Sequence, residues 1–165
     1  MIVKDLDLIR KQSKKKEDQN WRFRSFLKMQ DGKKIDSLVK PIYEFVIKNI
    51  DCLECGNCCR KLRPVLLKED IIRFEKEFGL NENEIIEKFS ESDEFNELRL
   101  KGNPCVFLNG NECKIYLNRP EDCKSYPHLH KKQFTTRLMG IIENTEVCPI
   151  VYNVYEELKM KMNFR

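Results

Sequence analysis

The sequence predicts a mainly α-helical fold with small irregular and β elements, built as a small metal-stabilised cysteine-cluster domain. Three observations carry this prediction. Apolar residues recur at helical spacing in four stretches, 34–50, 68–78, 81–89 and 149–162. Residues 95–119 break instead into short apolar pieces between Gly and Asn turns. Eight cysteines are present, four within CLECGNCCRK at 52–61 and four more beside turn formers or element boundaries.

The length of 165 residues suits one domain with its own core and an additional arm. We read 1–34 as a basic N-terminal arm or helix and 35–165 as the cysteine-cluster metal-binding domain. Hydrophobic residues make up 41% of the chain and include ten Phe, enough for a real core. No apolar run approaches the roughly 18–20 residues of a membrane span, and MIVKDLDLIRKQSKKK lacks the apolar centre of a signal peptide. The expectation is a cytoplasmic protein with no membrane partner. The net charge of +4 is concentrated in residues 1–34, where 11 Lys/Arg face 5 Asp/Glu. Two four-thiolate zinc sites would cancel the net charge, so basicity gives no support to a nucleic-acid partner.

Taken in order, Val3, Leu6, Leu8 and Ile9 followed by Lys14, Lys15 and Lys16 predict a frayed helix with a solvated far end. Trp21, Phe23, Phe26 and Leu27 anchor this segment on the domain. In 34–50 the residues Ile35, Leu38, Val39, Ile42, Phe45, Val46 and Ile50 form one apolar face, and Pro41 predicts a kink or a helix start at 40–41. Lys68–Phe78 reads as a helix with Ile71, Ile72, Phe74 and Phe78 inward and Gly79 as its stop. Asn81 and Glu84 form a capping box for a second helix with Ile85, Ile86 and Phe89 buried, ending near 90–93, so the pair predicts a helical hairpin. Strands are expected at 104–108 and 113–116 around Asn109-Gly110. Pro120 and Asp122 open a helical turn that holds Cys123, 134–142 is expected to be extended, and Pro149 begins a terminal amphipathic helix. Its inward set is Ile150, Val151, Val154, Tyr155, Leu158 and Met162.

The cysteines admit three kinds of chemistry. A reducing compartment disfavours a disulfide framework, and no βαβ pattern surrounds Cys52 and Cys55 to support a redox pair. Metal binding accounts for more of them. Two thiols two residues apart reach one ion as the chain turns, and Gly56 after the second permits positive φ. Cys58 and Cys59 extend the run to C-x-x-C-x-x-C-C, and Cys105, Cys113, Cys123 and Cys148 each stand beside a turn former or an element boundary. Adjacent side chains point apart, so Cys58 and Cys59 are expected to face different metals or to bridge two. All-thiolate ligation favours zinc or an iron–sulfur cluster over Mg, Ca or Mn, and the ferredoxin run's fourth member before proline is missing, which favours zinc. His128 and His130 are read as surface or hydrogen-bonding histidines in preference to ligands. Arg119 and Asp122 could hydrogen-bond around the site or form a salt bridge at a turn. No hydrolase triad, phosphate loop or HExxH helix is present, so no catalytic residue is assigned and the chain is not expected to be an enzyme.

IDCLECGNCCR at 50–60, NPCVFL at 103–108, ECKIYLNRPEDCKSYPH at 112–128 and the closing Cys148-Pro149 resemble the YkgJ-type cysteine cluster family, described as zinc- or iron-chelating domains. The resemblance implies that Cys52, Cys55, Cys58, Cys59, Cys105, Cys113, Cys123 and Cys148 are the chelating set. It supplies no reaction. A related cysteine-rich domain resembles part of flagellin lysine N-methylases. The expected function is therefore metal binding, with zinc as cofactor (iron or a [4Fe-4S] cluster as alternative) in a structural role. An iron–sulfur redox or protein-modifying enzyme is one alternative. The other is a nucleic-acid or protein adaptor that uses Lys14–Lys16, Arg22 and Arg24.

Overall fold

The computed structural model describes residues 2–165. It is mainly helical, as the sequence predicts, with two small antiparallel hairpins. In chain order the elements are α1 (Leu6–Lys15), α2 (Glu17–Lys28), α3 (Gly32–Ile47), α4 (Cys52–Cys55), α5 (Asn57–Lys61), α6 (Lys68–Phe78) and α7 (Glu82–Phe89). Four short strands follow, β1 (Ser90–Ser92), β2 (Leu98–Leu100), β3 (Leu108–Asn109) and β4 (Glu112–Cys113). The chain closes with α8 (Glu121–Ser125), α9 (Leu138–Asn144) and α10 (Pro149–Lys161). Two compact units emerge: the first joins the segment up to residue 51 to 127–165, and the second is 52–126. No helix among the described residues is long and apolar enough to cross a membrane.

The first unit is organised around α10. Its residues Pro149–Tyr155, Leu158 and Lys159 are buried, so the expected one-sided amphipathic helix is instead enclosed nearly all round by its neighbours. The frayed helix expected at the N-terminus is α1, and the Trp21–Leu27 stretch that anchors it lies on a second helix, α2. Asp5 caps α1 by accepting the Leu8 N–H at 2.8 Å, and Ile9, Phe23 and Leu27 have no exposed surface. Trp21, expected to anchor, lies 36% exposed. Polar groups complete the attachment. Asn153 donates to Val3 O and accepts from Val3 N, Tyr155 donates its hydroxyl proton to Asn20 O, and Lys159 Nζ donates to Asn20 Oδ1 at 2.5 Å. Glu156 binds both Lys159 and Lys16, so Lys16 does not belong to the solvated lysine run.

Pro41 neither starts nor ends a helix. Asp31 caps α3 ten residues earlier, accepting from Lys33 N at 2.9 Å, and the helix runs through Pro41 to Ile47. The carbonyl that proline leaves without its usual partner belongs to exposed Ser37, where water can satisfy it. Phe45, assigned to the apolar face, is 62% exposed. The stretch 134–142, expected to be extended, is a 3-10 turn at Phe134–Thr136 followed by α9. Phe134, Leu138, Ile141 and Ile142 are all buried, and their three-to-four spacing decides for helix over the local β-branched content.

In the second unit α6 and α7 form the expected hairpin. Gly79 stops α6 at φ 64°, and the Asn81–Glu84 capping box starts α7 with both reciprocal hydrogen bonds. Ile71 and Phe74 are buried as expected, whereas Ile72 is 41% exposed. The core joins Leu66, Ile71, Phe74, Ile85 and Phe89 to Leu100, Phe107 and Ile115. Phe74, Phe78, Phe89 and Phe107 meet ring to ring within it. The β1–β2 hairpin was not anticipated: its strands lack β-branched residues, and it is set by Asp93, whose carboxylate accepts from Phe95 N and Glu97 N and pairs with Arg99. The second hairpin turns where expected, at Gly110, but is only two residues long on each side.

Candidate metal centre

Gly56 divides the first cysteine cluster. It ends α4 by donating its N–H to Cys52 O at 3.1 Å, takes φ 57°, and lets α5 begin at Asn57. Cys52 and Cys55 therefore lie on one short helical turn and Cys58 and Cys59 on another. A Cβ on residue 56 would stand 2.9 Å from Arg60 Nη1 and 3.2 Å from Asn111 Cα. Gly56→Ala thus combines a strained φ with a steric clash, and we expect a loss of about 1–3 kcal/mol in chemical denaturation. An unchanged midpoint would contradict the close approach.

That approach is bonded on both sides. Arg60 donates Nη1 to Cys55 O at 3.2 Å and Nη2 to Gly110 O at 2.7 Å and Asn111 Oδ1 at 2.5 Å. Asn111 returns a bond from Nδ2 to Glu54 O at 2.8 Å. Cys105 N donates to Cys59 O at 2.8 Å, which ties the 101–107 turns to α5. Cys105 and Cys113 pack partly buried against the phenylalanine core.

Cys59 acts here on thiols from three other chain segments. Burial raises Cys105, Cys113 and Cys123 above the ordinary thiol range; Cys59 adds to each shift, and Cys105 and Cys113 both add to that of Cys123. Cys59 behaves in the opposite way. Its thiol is lowered to about 6, first by the hydrogen bond with Cys58 and then, against the effect of burial, by the charges of Arg60 and Arg119. The Cys58 and Cys59 sulfurs lie 4.0 Å apart.

α8 carries Cys123 and is fixed by two carboxylates. Asp70, with a fully buried side chain, accepts from Leu67 N at 2.9 Å and from Glu121 N at 3.0 Å and pairs with Arg73. It therefore joins the start of α6 to the start of α8. Asp122 accepts from Val65 N at 3.1 Å, so it is a backbone anchor in this structure. Arg119 stacks 3.8 Å over the Tyr116 ring and lends charge to Cys59 and Cys113.

The structure thus sets Cys105, Cys113 and Cys123 within electrostatic reach of Cys59, with Cys58 beside Cys59. Cys52 is exposed and Cys55 half-buried on α4, while Cys148, 7% exposed, belongs to the first unit at the N-cap of α10. His128 and His130 are also in the first unit, where exposed His130 lies beside the Tyr43 ring. Among the described residues, no three His, Cys, Asp or Glu side chains converge tightly enough to hold an ion as they stand. The sequence reading missed Arg60, Asn111 and Asp70. Arg60 directly follows the vicinal cysteines and Asn111 directly follows the hairpin glycine, and those placements were the available signal.

Soft sulfur donors on short helical turns, a small hairpin and the turn between them are the donor set of a thiol-chelating domain. Residues 51–149 match the CxxCxxCC family, described as "putative zinc- or iron-chelating domain", and the chain belongs to that family. The match spans all eight cysteines. No curated protein and no solved structure matches the chain.

Proposed function

We propose that the chain is a zinc-binding module whose metal does structural work, with Cys52, Cys55, Cys58, Cys59, Cys105, Cys113, Cys123 and Cys148 as the candidate ligands. The observation that carries this reading is the gathering of Cys59, Cys105, Cys113 and Cys123 from four separate segments. Ionising Cys105, Cys113 and Cys123 is unfavourable as they stand, and a divalent, sulfur-preferring ion would offset that cost by binding the thiolates. The 4.0 Å between the Cys58 and Cys59 sulfurs also suits one ion. The edge of a tetrahedron with zinc–sulfur bonds near 2.3 Å is about 3.8 Å. That separation supports a metal shared by the vicinal pair as well as the bridging of two metals expected from the sequence. Ion capture in this reading includes rotation of thiol side chains toward the metal. Cys148 enters the set through the family match, which runs to residue 149.

Elemental analysis with an absorption spectrum, on protein purified without oxygen, is the direct test. We expect about two zinc ions per chain and no visible band. Iron with broad absorption at about 400 nm would overturn the zinc assignment and favour the iron–sulfur alternative. Cys55→Ser is expected to lower bound metal and the melting temperature together, and full metal retention with unchanged melting would remove Cys55 from the set.

A further inference from the structure

We infer that Arg60 is a positioning residue for the metal centre: its guanidinium clamps the cysteine-bearing turn at 52–59 onto the β3–β4 turn as the metal-bound frame forms. The inference rests on the metal-binding reading above. Three acceptors from two segments receive this one side chain, Cys55 O, Gly110 O and Asn111 Oδ1. The reverse bond from Asn111 to Glu54 O closes the clamp, and the missing Cβ of Gly56 gives it room.

The chemistry of the guanidinium suits this task. A planar fork satisfies acceptors from two segments at fixed angles, whereas a lysine ammonium is a single point charge on a flexible stem. The clamp also spans a long loop, since Arg60 and Asn111 are 51 positions apart. Without it, the whole entropy of closing that loop would fall on the thiol–metal bonds and weaken ion binding. Arg60 is only half-buried, so its removal opens no core cavity and leaves its acceptors within reach of water. An effect on metal affinity can therefore be separated from an effect on folding.

The experiment uses the full chain, stripped of metal under reductant, with zinc titrated against a chromophoric chelator. Cobalt(II) serves as the spectroscopic probe. Arg60→Met and Arg60→Lys are both expected to weaken zinc binding about tenfold or more, in the range typical of residues that orient ligands. Both are expected to alter the cobalt–thiolate absorption while leaving the melting of the metal-free protein unchanged. Asn111→Ala should move the same way, and combined with Arg60→Met it should cost less than the sum of the two, because the side chains share one bond while Asn111 keeps another to Glu54 O. Wild-type affinity in Arg60→Lys, or in Arg60→Met, would overturn the clamp, as would a fall in metal-free stability in step with affinity. If the wild-type chain takes up neither zinc nor iron, the metal reading fails and carries the clamp with it; tight wild-type binding matched by the variants sinks the clamp alone.

Discussion

Removing metal with a strong chelator under reductant is expected to melt residues 101–126 while α6 and α7 stay folded. The two parts of the unit are held by different forces. α6 and α7 bury Ile71, Phe74, Ile85 and Phe89 and carry their own caps. The segment after Leu100 has strands of two residues, a five-residue helix and one 3-10 turn, and its buried apolar side chains are Phe107, Ile115 and Pro120. That burial falls short of the ordering entropy of so many residues, at about 1–2 kcal/mol each. Thiol–metal bonds supply the difference in our reading. Structural zinc sites in small domains contribute on the order of 10 kcal/mol, so the loss should be several kcal/mol. Hydrogen exchange read by mass spectrometry would show protection lost across 101–126 and retained from 74 to 89. The same exchange pattern with and without chelator would mean that the metal does no structural work.

Asp70→Ala is expected to destabilise the protein by roughly 3–5 kcal/mol, the range for breaking a buried ion pair from one side. A single carboxylate with no exposed side-chain surface serves Leu67 N, Glu121 N and Arg73. Its removal strands two backbone donors and a guanidinium that also reaches Arg119 O. At about 2–4 °C per kcal/mol for a chain of this size, the melting temperature should fall by roughly 10 °C. Asp70→Asn keeps an acceptor and loses the charge, so it should fall between the two. A melting temperature within about 1 °C of wild type for Asp70→Ala would refute the bridging role.

Elements whose signals are local were legible in the sequence. α6 was read at its observed limits, because Gly79 must take the left-handed conformation that stops it, and α7 because Asn81 and Glu84 cap one another. Where the deciding partner lies far along the chain, the reading failed. Phe134–Ile142 looks extended by local composition and is helical because Leu138, Ile141 and Ile142 find a core. Pro41 drew attention away from Asp31, the residue that starts α3. The candidate site divides the same way: its donor atoms are visible as cysteines, but the groups that place them are not. Arg60 meets its acceptors 50 and 51 positions later, and Asp70 meets Glu121 N across 51. No spacing rule covers such distances.

The two units differ in how their chain is supplied. Residues 52–126 form the second unit as one uninterrupted stretch, whereas the first is assembled from segments on both sides of that stretch. Because a chain emerges from the ribosome from its N-terminus, the second unit has all its residues available while α10, the buried centre of the first, is still unmade. α1, α2 and α3 must wait with their apolar faces uncovered until 149–161 is synthesised. The cysteine-rich insert therefore has its own seven cysteines in place before Cys148 and α10 are made, so the first unit is the last part of the protein to be completed.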